Sequence, residues 1–93
     1  MLFIGQWRIP PGNRNAAIER FLKTGGVPPQ GVKMIGRWHD VTQRMGVMIS
    51  EAEDASAMAR WTLDWSDLME TEVHPALNDE QLAAVLGSLQ QPK

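Results

Sequence analysis

The apolar period along this chain runs two, 3.6, two, two, 3.6, two, and that order constrains its fold more than any other feature. The first segment, MLFIGQWRI over about residues 1–9, is rich in β-formers and ends at Pro10-Pro11, a pair that cannot continue a central strand. Over about 14–24, Ala17, Ile18, Phe21 and Leu22 share a helical stripe, with Asn13 placed to cap it and Gly25-Gly26 to stop it. Strands follow over about 32–39 and 45–51, joined by the short polar stretch Asp40 to Arg44, which reads as a hairpin.

A second helix is expected over about 55–68, capped by Asp54, with Ala55, Met58, Thr62, Trp65 and Met69 near one line and Trp61 and Leu68 at its edge. METEVHP, about 69–75, reads as a strand whose Glu70 and Glu72 favour an edge position. Asn78 with Gln81 forms a capping-box pattern ahead of the stripe Leu82, Val85, Leu86, Leu89, so a short helix over about 79–89 and a frayed tail complete the chain. The order β-α-β-β-α-β is the ferredoxin-like plan of the α+β class: one domain over 1–93, with an antiparallel sheet and both main helices on one face.

Alternation divides each strand into two sets. Phe3, Gly5, Trp7 and Ile9 oppose Leu2, Ile4, Gln6 and Arg8; Met34, Gly36 and Trp38 oppose Lys33, Ile35, Arg37 and His39; Met45, Val47 and Ile49 oppose Gly46, Met48 and Ser50. The expectation is that Phe3, Trp7, Trp38 and Val47 lie under the helices. The mixed face then gathers Gln6, Arg8, Arg37, His39, Ser50 and His74, although a single β-bulge would reverse an assignment. Leu2, Ile4, Ile35 and Met48 on an uncovered face are too much apolar area for water, so a homodimer joined through the open sheet face is expected. At 93 residues the domain buries a modest share of its surface, and a partner would add to its stability.

Three stretches, WRIPPGNRNAAIERFLKTG, GVKMIGRWHD and ARWTLDWSDLMETEVHPALNDE, together resemble a small bacterial family of uncharacterised proteins, domain of unknown function 3303. The resemblance spans nearly the whole chain. That family is similar to the dimeric α/β-barrel superfamily, which implies a ferredoxin-like subunit and a sheet-to-sheet homodimer. The wider superfamily includes cofactor-independent monooxygenases, haem-degrading enzymes, isomerases and ligand-sensing modules, and no local motif here matches their catalytic residues.

Composition narrows the function classes. A formal charge of -2, with Lys and Arg unclustered, opposes a surface that tracks phosphates, so no nucleic acid is expected. No apolar run reaches the length of a signal-peptide core or a membrane span, and cysteine is absent, which fits a cytoplasmic protein. Two histidines without a tight carboxylate cluster make a poor metal set, so neither metal nor cofactor is expected; haem with His39 or His74 as axial ligand stays open as an alternative.

The chemistry rests on the mixed face. Arg8 and Arg37 could grip a carboxylate or enolate, Gln6 could add a hydrogen bond, Trp38 could wall a pocket, and His39 or His74 could move a proton near neutral pH. The competing reading makes the tryptophans core and the cations surface partners of Glu70, Glu72 or Asp40. The function expected is a homodimeric small-molecule-binding module with a sheet-lined cavity. Alternatives are a monooxygenase-like or isomerase-like enzyme using His39 or His74, and a purely structural or protein-interaction domain.

Overall fold

The structure, a computed structural model, describes residues 1–90. Its elements are β1 (Leu2–Arg8), α1 (Arg14–Thr24), β2 (Val32–His39), β3 (Met45–Ala52), α2 (Ala55–Trp65), β4 (Glu70–Ala76) and α3 (Asp79–Leu89), with a 3-10 turn at Pro11–Asn13. The sheet order is β2-β3-β1-β4 with every neighbouring pair antiparallel, which is the ferredoxin-like topology. β4, with its two glutamates, is an edge strand. The tail expected after α3 lies outside the described residues.

Local chemistry sets most of the boundaries. Asp54 accepts a hydrogen bond from the Ala57 amide at 3.1 Å, and Asn78 and Gln81 form both bonds of a capping box. α1 ends where Gly25 and Gly26 adopt positive φ angles of 72° and 56°. Asn13 departs from expectation. It stands at the N-cap of α1 but makes no capping bond, and its side-chain amide instead donates to the Leu68 carbonyl at 3.1 Å. α2 stops at Trp65, short of the expected Leu68, and the amides of Leu68 and Met69 both turn back to the Trp65 carbonyl.

The core forms between α2 and the sheet, from Phe3, Met48, Ala52, Ala57, Met58 and Trp61. The stripe of α2 is therefore rotated from the expected line, with Ala57 and Trp61 inside and Ala55 exposed. α1 is held more loosely. Its one buried residue is Ala17, whereas Phe21 is half-buried and Leu22 exposed.

Register corrects the face assignment. Pairing of Phe3 with Ser50 and Gly5 with Met48 puts Met48 and Ser50 under the helices and turns Val47 outward. On β2, Met34 pairs with Ser50 but Gly36 pairs with Ile49, so the partner strand advances by one residue while β2 advances by two. This β-bulge at Ile35–Gly36 inverts the alternation beyond it. Arg37 and His39 consequently face the helices, beside Met48 and Gly46, while Trp38 faces outward beside Val47 and is 60% exposed.

Candidate functional site

Small residues on the covered face leave room that large side chains only partly fill. Gly46 lies directly beneath the indole of Trp7, and a Cβ there would collide with the ring. Ala17 on α1 is also small, so the helix stands off from this end of the sheet. The result is a cavity of about 400 Å³, walled by Trp7, Ile18, Phe21, Trp61, Trp65 and Met69, with Arg37, His39 and Gln43 as its polar side chains. That volume falls within the roughly 300–1,000 Å³ range of small-molecule sites.

Polar ties hold α1 over this space at both ends. Arg20 donates two hydrogen bonds to the Asp67 carboxylate, at 2.9 and 2.7 Å, and a third to the Asp64 carbonyl, while its guanidinium lies 5.3 Å from the Trp65 ring centroid. The Arg20 guanidinium holds the Asp67 carboxyl below its ordinary value. At the other end, Arg37 donates to the Gly26 carbonyl at 2.6 Å and to the Gly25 carbonyl at 3.2 Å, and lies 5.0 Å from the Phe21 centroid. Both terminal nitrogens of Arg37 are thus engaged with the carbonyls that end α1.

His39 occupies the rim. Its ring meets Trp7 and Phe21 edge to face, at centroid separations of 5.6 and 5.3 Å and interplanar angles of 67° and 73°. Burial against these groups, and then the positive charge of Arg37, lower its pKa below the ordinary 6.5 and favour the neutral imidazole. Among the described residues neither ring nitrogen has a hydrogen-bond partner within the chain. Gln43, in the left-handed conformation at the hairpin, donates its side-chain amide to the Asp40 carbonyl at 3.2 Å, leaving its side-chain oxygen free to accept.

The residues grouped by simple alternation are therefore divided between two faces. Arg37 and His39 meet at the cavity. Gln6, Arg8, Trp38 and His74 lie on the open sheet face, where Gln6 donates to Glu72 at 2.9 Å and His74 stands 3.8 Å from the same carboxylate. Ser50 is fully buried, and its hydroxyl donates to the Met48 sulfur. Phe21, Trp61, Trp65 and Gln43 are cavity residues that the sequence reading treated as packing or loop. Gly36, an isolated glycine inside a strand pattern, was the available signal for the bulge.

Among the described residues no three histidine, aspartate or glutamate side chains converge as a metal site requires, and no helix is long and apolar enough to cross a membrane. No curated protein matches the chain. A solved structure of a Deinococcus radiodurans protein, provisionally named an antibiotic biosynthesis monooxygenase, is similar with a TM-score of 0.45 and 9% identity, over 83% of this chain and 92% of that one. With the family profile of domain of unknown function 3303 matched over residues 1–90, the chain belongs to that family, DUF3303.

Proposed function

We propose that this chain is a small-molecule-binding module whose site is the cavity between α1, α2 and the sheet. The observation that carries the reading is a partly enclosed space of about 400 Å³, walled by three tryptophans and a phenylalanine, with one unpartnered imidazole at its rim. Aromatic walls with few polar groups are the usual make-up of a ligand site. Ile18 lines the space from α1, so Ile18→Trp should fill it. The expected result is native mass spectrometry of protein from its own host showing a carried molecule, absent from a folded Ile18→Trp variant. A carried molecule retained by that variant would place binding elsewhere and sink the proposal.

The module works as a homodimer joined through the open sheet face. Ile4, Ile35, Trp38, Met45 and Val47 on that face are each at least 39% exposed, an apolar surface that a second copy covers economically.

A second reading makes the cavity a reaction chamber with His39 as general base, favoured by the neutral imidazole at its rim. His74, on the other face of the sheet, has no part in it. Turnover of a cavity-bound substrate should then be lost in His39→Ala and kept in His74→Ala.

A further inference from the structure

From the hydrogen-bonding capacity left at the cavity rim, we infer that the ligand is a neutral planar aromatic bearing a hydroxyl group, which donates its proton to a ring nitrogen of His39. The inference rests on the cavity reading above and specifies its ligand class.

Three observations carry it. The first concerns Arg37, the one cationic side chain in the lining. Its terminal nitrogens already donate to the Gly25 and Gly26 carbonyls and its plane lies by Phe21, so its fork is not free to receive a carboxylate. A charged ligand would be moved from water into apolar walls without a paired hydrogen-bonding partner, which is costly. The second is the walls themselves. Trp7, Phe21, Trp61 and Trp65 offer ring faces and edges that suit a flat conjugated molecule better than a branched aliphatic one.

The third observation is His39. A neutral imidazole has one nitrogen that accepts and one that donates, and among the described residues neither is used within the chain. Trp7 and Phe21 hold the ring edge to face on two sides, so its direction is set before a ligand arrives. Gln43 adds only an acceptor, because its amide nitrogen is engaged with Asp40. The free groups at the rim therefore favour a molecule that donates. An aromatic hydroxyl is a strong neutral donor, and its ring is what the walls accept.

Calorimetric titration of the full chain with three naphthalenes of one shape tests this: 2-naphthol, 2-methoxynaphthalene and 2-naphthoate. The expected order has 2-naphthol binding about three- to tenfold more tightly than 2-methoxynaphthalene, the ratio for one net hydrogen bond, with 2-naphthoate weakest. In His39→Phe, which keeps a ring between Trp7 and Phe21, the hydroxyl-to-methoxy ratio should fall to about one. Equal affinity of the first two probes for the unaltered chain overturns the inference and leaves the cavity reading standing, as does tightest binding of 2-naphthoate. Failure of all three probes to bind overturns both.

Discussion

A single hydrogen-bonding assignment separates the two arginines that a strand alternation would have paired. Arg37 is a structural cation: it ties the end of α1 to β2, and Gly26 is shaped around it. Gly26 has a φ of 56°, and a Cβ there would press on both the Phe21 ring and the Arg37 guanidinium. Gly26→Ala should destabilise the fold by roughly 1–2 kcal/mol from the left-handed backbone alone. In a domain of this size that lowers the thermal midpoint by about 4–8 °C per kcal/mol, a shift that calorimetry resolves. His39 supplies a pH dependence with a definite sign. Its folded pKa is depressed, so the folded state binds its proton less readily than the unfolded chain does. The stability it contributes is complete above about 6.5 and is lost as pH falls from there through the depressed value. Chemical denaturation between pH 7.5 and 5.5 should show stability falling with acidity, and His39→Phe should flatten that part of the curve.

Elements differ in how firmly their chemistry fixes them. Caps at Asp54 and Asn78 and the glycine stop after α1 read directly from the residue types, because each acts on its own backbone within a few positions. Asn13 did not, because the amide that attracts it belongs to a distant turn, and local pattern carries no information about Leu68. The same limit applies to β2. Alternation correctly separates Trp38 from Arg37 and His39, but which set lies inside depends on one extra residue in the ladder, and the sequence marks that only through Gly36. α1 is the element on which the cavity depends. With Arg20→Ala the ties to Asp64 and Asp67 are removed, and hydrogen exchange of the α1 amides should quicken while those of β1 and β3 hold. α3 raises the opposite question. Its capping box is complete, yet none of its residues is buried, and Leu82, Val85, Leu86 and Leu89 are 44–75% exposed. An isolated helix of this length is marginal in water.

At the scale of the whole molecule, the described chain measures 56 × 27 × 18 Å, with a radius of gyration of 15.9 Å against the roughly 12 Å typical of a compact domain of this length. The open face and α3 account for the surplus surface, and they are continuous, since α3 follows the edge strand β4. A second copy that covers the sheet lies where the α3 stripe can reach it. Light scattering should therefore give about twice the 10.4 kDa chain mass. Trp38→Glu should shift the population to the single-chain mass, and Leu82→Asp with Leu86→Asp should weaken association in the same direction. A dimer unchanged by all of these would remove both surfaces from the interface. The fold class was legible because six periodic segments in one order leave few topologies. The site was not, because it arises from a mismatch in volume between small sheet residues and a loosely held helix.

The bulge at Ile35–Gly36 bears on how function can be traced among members of this family. Deleting one residue there would exchange the roles of the two sides of β2's end, offering an indole to the ligand and a cation with an imidazole to the neighbouring subunit. Two homologues that share every side chain after the glycine could then have unrelated specificities. Comparison of this segment across species should count residues through the bulge before equating histidines by column, because insertion and deletion here act as a switch between interface and pocket.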